Sequence, residues 1–476
     1  MRKLLLTISA VVLAGCEVGP DYVQPKLDMP KLSDKEEMSI FKNQQWWSVF
    51  NIKALNKLEE QALIHNADLK IAIANIDAAK AAAGIAESDY LPQIAIKGDL
   101  TDNYISQRTK TYNPAASRDY VDLLGAVGMS YELDFFGKYR RANEAARAQL
   151  LATRAAKDAV LLTITSQVAK NYFLIRALDA KLAIARRTLR SRQQTYNVYK
   201  SRFRSGYCTE LDYLRIESEM ASVKTTVLGL EDALAKAETS MSVLLGCSPR
   251  LFMDRKTSHE QAIEKLRIPN KVPKGIPSDI LSRRPDLLQA EGRLIAANAK
   301  IGEAKAAFFP SISLTGALGF ESKTLGSLFS SGSDMWNFHG GINLPIFTGG
   351  RLSSMSDAAK ANYRAALASY EKAVQVAFKE TLDALVSNRK SRQIVQSRTR
   401  QVNALKRSYE IAKKQKEAGL IGLIDLLDVE RGLLACEMEL TTALQDQLNA
   451  VVDLCKALGG GWKQRNTASR IVKLNR

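Results

Sequence analysis

Glu417–Glu430 reads EAGLIGLIDLLDVE. Gly419 interrupts a very long helical pattern, and a second helix starts a few residues later. Its first turns carry Asp425 and Asp428, three residues apart, a spacing that puts both carboxylates on one helix face. The same design occurs earlier in Arg204–Glu217, RSGYCTELDYLRIE, where Gly206, Asp212, Leu214 and Glu217 match Gly419, Asp425, Leu427 and Glu430. The offset is 213 residues throughout. Other landmarks repeat in the same order. Gly84 and Pro92 match Gly302 and Pro310, Leu133 and Arg140 match Leu344 and Arg351, and Leu245-Gly246 matches Leu458-Gly459. A repeat of this period makes the chain an internal duplication with a helix–turn–helix tip in each half.

The stretch between landmarks alternates two periodicities. Ile94, Ile96, Gly98 and Leu100 face one way and Gln93, Ala95, Lys97 and Asp99 the other. Val127 to Phe135 and Ile312 to Phe320 behave alike, and Ile342, Leu344 and Ile346 form a shorter run. Strict alternation predicts strands with one apolar and one small or polar face. Each half therefore holds one hairpin, with polar loops at about residues 102–120 and 321–337. Two isolated hairpins are marginal in water, and membrane strands need closed pairing without a free edge. Four strands per chain close no useful barrel, so closure must recruit other chains.

Each hairpin leads into a long run without proline or glycine, residues 138–204 and 351–418. At about 1.5 Å per residue the first would reach roughly 100 Å. Val168, Tyr172, Ile175, Leu178, Leu182, Ala185 and Leu189 recur at coiled-coil spacing. Leu367, Tyr370, Val374, Ala377, Thr381 and Ala384 do the same. Return helices are expected at about 209–245 and 421–458, with Gly246 and Gly459 as stops. A helix from Trp46-Trp47 and Phe50 to about Ser88 precedes the first hairpin, and residues 278–307 precede the second. Long coiled coils with short membrane hairpins describe a conduit anchored in a membrane.

The N-terminus carries Arg2 and Lys3 before an apolar run, Leu4–Ala14, too short to span a bilayer. That is the form of a secretory signal. It ends Leu13-Ala14-Gly15-Cys16, resembling a bacterial lipobox, which makes Cys16 the expected lipidation site. Glu17 follows, and the absence of aspartate there favours the outer membrane. The net charge of +18 lacks clustered basic motifs with interleaved aromatics, so it is read as solvated helix faces and not as a nucleic-acid surface. Cys208, Cys247, Cys436 and Cys455 form no disulfide framework and are expected as free thiols. His65, His259 and His339 stand in no metal-ligand spacing, and neither a nucleophile-elbow nor a P-loop pattern occurs. No enzyme activity, metal or cofactor is expected.

Several stretches together resemble the TolC-type outer-membrane channels, in their lipoprotein (NodT-like) branch serving RND-type drug-efflux systems. They are Cys16–Tyr22 (CEVGPDY), Trp46-Trp47, Arg283-Arg284-Pro285-Asp286 with Ala290-Glu291, Ala307–Leu314 (AFFPSISL) and Leu458–Trp462 (LGGGW). The resemblance implies an α+β membrane protein: an internally duplicated chain of long antiparallel coiled-coil helices plus four membrane strands. A homotrimer would close a twelve-stranded barrel over a periplasmic helical tunnel. The expected partners are a periplasmic adaptor and an inner-membrane RND-type transporter, with outer-membrane lipid around the barrel. Asp425 and Asp428 match acidic residues lining the family's periplasmic gate, Gly206 and Gly419 match tips that contact the adaptor, and Asp212 matches an inter-coil partner. Lys416 and Ile421 stand where other members carry a latch, so the closed tip must be held differently; Lys416 with Asp212 is one conceivable pair.

The expected layout is a signal peptide (1–15), a lipid-anchored tether (16–45), a first repeat (46–246), an equatorial connector (247–277), a second repeat (278–462) and a basic tail (463–476). The expected function is a passive exit duct for small molecules driven by a partner pump. Alternatives are a duct for type I protein secretion and a lipid-anchored periplasmic scaffold without a pore. The lipobox and the Arg-Arg-Pro-Asp stretch favour small-molecule efflux over protein secretion.

Overall fold

The computed structural model describes residues 17–25, 45–110, 112–249, 263–266 and 283–460. The signal, Cys16, most of the tether, most of the connector and the basic tail lie outside them. The described elements are α1 (Lys53–His65), α2 (Ala67–Ser88), β1 (Gln93–Tyr104), β2 (Asp119–Leu133), α3 (Lys138–Arg204), α4 (Glu210–Leu244), α5 (Pro285–Ala306), β3 (Ser311–Ser322), β4 (Asp334–Asn343), α6 (Arg351–Glu417) and α7 (Leu423–Ala457). The duplication is visible in their lengths. α3 and α6 have 67 residues each, and α4 and α7 have 35 each.

The chain forms two compact units, one of residues 1–27, 75–154 and 289–371, the other of 28–74, 155–288 and 372–476. The first unit holds one antiparallel sheet in the order β1-β2-β3-β4. Its register places Ile94 opposite Met129, Ile96 opposite Val127, Val127 opposite Leu318, and Leu318 opposite Trp336. Residues directly opposite share a face, so these side chains line one side of all four strands, and Ile96 and Trp336 are 86% and 77% exposed. Lys97, Ala126, Gly128, Ser130, Thr315, Ala317, Asn337 and His339 line the other side. A face this apolar and this exposed cannot be left to water. No described helix is long and apolar enough to cross a membrane; the sheet carries a continuous apolar face.

The strands are longer than the alternation implied, because pairing continues into residues first read as loop. β4 departs most. It occupies Asp334–Asn343, not the run through Leu344 and Ile346, since Pro345 has no N–H to give the ladder. Trp336, Phe338 and Ile342 are its apolar set.

In the second unit, Trp46, Trp47 and Phe50 are buried in a 3₁₀ turn. Trp46 Nε1 donates to Thr165 Oγ1 at 3.1 Å, and Phe50 meets Phe173 edge-on at 5.0 Å between centroids. The helix expected from Trp46 to Ser88 is thus broken twice. Asn66, with ψ 132°, leaves the helical region, and its Oδ1 accepts from the Leu69 amide, starting α2 as an N-cap. The predicted coiled-coil positions Val168, Tyr172, Ile175, Ala185, Val374, Ala377 and Thr381 are all buried. Arg284 is also buried; it donates to Asp286, to Glu380 at 2.6 Å and to the Ala457 carbonyl at 3.3 Å. The Arg-Arg-Pro-Asp stretch therefore tethers the start of α5 to α6 and to the end of α7. The four cysteines among the described residues are free thiols, Cys436 and Cys455 buried.

Glu59 lies on the face of α1 shared with Leu55 and Ala62, all three fully buried, and neither carboxyl oxygen has a hydrogen-bond partner. Burial holds its pKa well above the ordinary carboxylate value. The folded chain keeps this proton where the unfolded chain has lost it, so stability falls as pH rises from about 4.5 toward the folded pKa. Glu59→Gln should flatten that slope and raise thermal stability at pH 8, measured as the melting of the helical circular dichroism at pH 5 and pH 8.

Candidate functional site: the two helical tips

Both tips lie in the second unit and close in the same way. Gly206 and Gly419 each have φ 75°, the left-handed conformation that ends a helix at least cost for glycine. Tyr207 N–H donates to the Arg202 carbonyl at 2.7 Å, and Leu420 N–H to that of Gln415 at 2.8 Å, the long bond of a Schellman turn in each case. A Cβ built on either glycine meets nothing within 4 Å. The backbone alone demands glycine, and the flank beside it is open. Tyr207 and Leu211 on one tip and Leu420 and Ile424 on the other are exposed. Each pair is related by the repeat, and together they put an apolar patch beside each glycine. Sequence reading missed them, although the 213-residue offset pairs them directly.

The helices beyond the tips start differently. Thr209 caps α4, accepting from the Asp212 amide at 3.2 Å and donating to Asp212 Oδ2 at 2.8 Å. Asp212 is thus turned to its own helix start, and no ion pair joins it to Lys416. The repeat puts Gly422 where Thr209 stands. With no side chain at that position, Asp425 reaches back and accepts from the Gly422 amide at 2.9 Å. Asp425 thereby serves its helix as a cap, where the helix dipole also favours a carboxylate.

Asp428 has no such duty. It is exposed and pairs with Arg431 at 3.2 Å. The same guanidinium holds Glu219 of α4 through a short contact, which keeps Arg431 firmly charged. The first hairpin is therefore clipped to the second by Glu219–Arg431–Asp428, a link that the Lys416 and Ile421 positions do not supply.

Farther along α7 further ion pairs join the helices, one of them buried. Arg192, 2% exposed, donates to the Leu427 carbonyl at 3.3 Å and pairs with Glu430 at 3.3 Å. One heptad on, Glu437 is held by Arg187 through a short contact and by Lys406 at 3.3 Å, joining α3, α6 and α7. Lys170 meets Asp453 at 2.5 Å. These basic residues belong to the large positive balance, and here they are structural. Among the described residues no group of histidines, cysteines and carboxylates could hold a metal.

The chain matches the family described as Outer membrane efflux protein over residues 58–247 and 276–460, one segment in each repeat. It is 32% identical over 468 residues to the "Cation efflux system protein CusC" of Escherichia coli O6:H1, covering 97% of this chain and 99% of that one. It is 32% identical over 472 residues to the "Probable outer membrane lipoprotein SilC" of Salmonella typhimurium, covering 97% and 100%. Among solved structures, the Campylobacter jejuni CmeC outer membrane channel superposes with a TM-score of 0.88 at 26% identity, over 96% of this chain and 98% of that one. With two family segments, near-complete alignment and a shared fold, the chain belongs to the outer membrane efflux protein family.

Proposed function

We propose that three copies of the chain form the outer-membrane exit duct of a tripartite efflux system, carrying small molecules from an inner-membrane RND-type pump through a periplasmic adaptor. The observation that carries the reading is the sheet. It has one exposed apolar face, one polar face, and β1 and β4 as edges that pair on one side only. In a bilayer every backbone N–H and C=O needs a protein partner, so the edges require further copies, and three give twelve strands. A scaffold without a pore would have no use for that apolar face. Residues 46–246 and 278–462 serve as the two repeats around the connector, and Cys16 as the acylated end.

The tips supply the regulated end. The apolar patches beside Gly206 and Gly419 fit packing by an adaptor. Three copies would arrange Asp425 and Asp428 as carboxylate rings, and rings at a narrow aqueous aperture favour cations. Asp425 is partly committed to its helix start, so Asp428 contributes the more available charge. Arg431 tempers that charge and ties α7 to α4, closing the tip in place of the missing latch.

Replacing Asp425 and Asp428 together by alanine should raise the resting single-channel conductance in a planar bilayer and weaken cation preference. Asp428→Asn alone should weaken the preference more than Asp425→Asn. Unchanged conductance and selectivity in the double variant would remove both residues from the gate.

The buried link is a matter of stability. Arg192→Met leaves Glu430 without its partner, and breaking such a pair costs about 3–5 kcal/mol. The exposed Arg431→Met change should cost under about 1 kcal/mol. Denaturation of the helices followed by circular dichroism checks that order, and equal losses would show that burial is not what makes Arg192 matter.

A further inference from the structure

Glu17–Tyr22 is part of the stretch that marked the family, yet neither the barrel nor the gate uses it. It has no regular secondary structure, but it is held at nearly every residue within the first unit. Val18 N–H donates to the Phe136 carbonyl at 3.2 Å, between the end of β2 and the start of α3. Asn298 Nδ2 donates to the Pro20 carbonyl at 2.8 Å. Tyr22 donates its hydroxyl proton to Glu291 Oε1 at 3.2 Å.

The centre of this arrangement is Arg141, 3% exposed. It forms an ion pair with Glu17 at 3.1 Å and with Asp21 at 2.8 Å, and its remaining arm holds Glu144 at 2.7 Å. A buried guanidinium is costly unless its charge is met, and two of the three carboxylates that meet it belong to the N-terminal segment. Backbone contact completes the fit. A Cβ on Gly302 would lie 2.8 Å from the Val18 carbonyl oxygen, and one on Gly19 would lie 2.5 Å from Gly302 Cα. Only a glycine on each side permits this approach.

We infer that Glu17–Tyr22 is a docked strap that staples the first repeat, through Arg141 of α3, to the second repeat, through Glu291 and Asn298 of α5. The strap moors the acyl-bearing residue beside the helix-side end of β2. The mooring half rests on the reading of Cys16 as lipidated; the staple half does not. An acyl chain on the residue that precedes Glu17 would enter the lipid leaflet at a place fixed by Arg141. The receptor is complete only when α3 and α5 are together, so the anchor takes its position only on a folded unit.

Hydrogen exchange followed by mass spectrometry on the detergent-solubilised full-length protein tests this. Peptides covering residues 17–24 should exchange at least about tenfold more slowly than the same peptides in Glu17→Gln/Asp21→Asn, with β1–β4 unchanged. Arg141→Gln should give the same local loss. If it loosens the whole unit instead, the strap-side double variant decides, since it leaves the receptor intact. Free-peptide exchange of residues 17–24 in the wild type, or unchanged protection in the double variant, would overturn the strap. Cys16→Ser should keep the protection while losing the acyl mass. Lost protection in Cys16→Ser would show that the lipid, not Arg141, holds the segment. A wild-type protein without acyl mass would overturn the mooring and leave the staple standing.

Discussion

Backbone hydrogen bonding at the two outer edges of one four-stranded sheet is the constraint on which the rest depends. Among the described residues, β1 and β4 each pair on one side only and leave a row of N–H and C=O groups at the sheet's outer edges. In water such edges invite aggregation; in lipid they are not tolerated at all. The apolar face formed by Ile94, Ile96, Val127, Leu318, Trp336 and Ile342 assigns the sheet to lipid. A chain of this sequence is therefore incomplete alone, and copy-to-copy pairing of β1 with β4 is the simplest closure.

The helical hairpins solve a different problem. Helices of 67 residues cannot rely on a globular core, so they are locked by heptad packing and by charges placed along α7. Glu430, Glu437 and Asp453 receive Arg192, Arg187 and Lys170 from α3. Burial grades these links. Arg192 is enclosed and costly to lose, whereas Arg187 and Arg431 are exposed and cheap to release.

Much of this was legible in the sequence. The 213-residue repeat located both tips and all four long helices, because glycine stops and unbroken helical runs are local signals. Membership of the family and its outer-membrane location followed from motifs spread over the chain. Three features were hidden, each for a physical reason. Asn66 breaks the first helix through a cap that reads like any polar residue in an alanine-rich run. β4 lies in DMWNFHGGIN, where glycine, asparagine and histidine mask the apolar set, and Pro345 decides its end. Arg141 and Arg431 act through partners more than a hundred residues away, and distance along the chain conceals such pairs. The tether expected for residues 16–45 had no periodicity because its first part is ordered by side chains of α3 and α5, not by its own backbone.

The most direct test of the central claim is the mass of the native assembly, taken by native mass spectrometry on protein extracted from outer membranes in mild detergent. Closure by edge pairing predicts three copies per particle and no folded single chain. A monomer with intact strand protection would contradict it, because the edges of β1 and β4 would then be satisfied without a second copy.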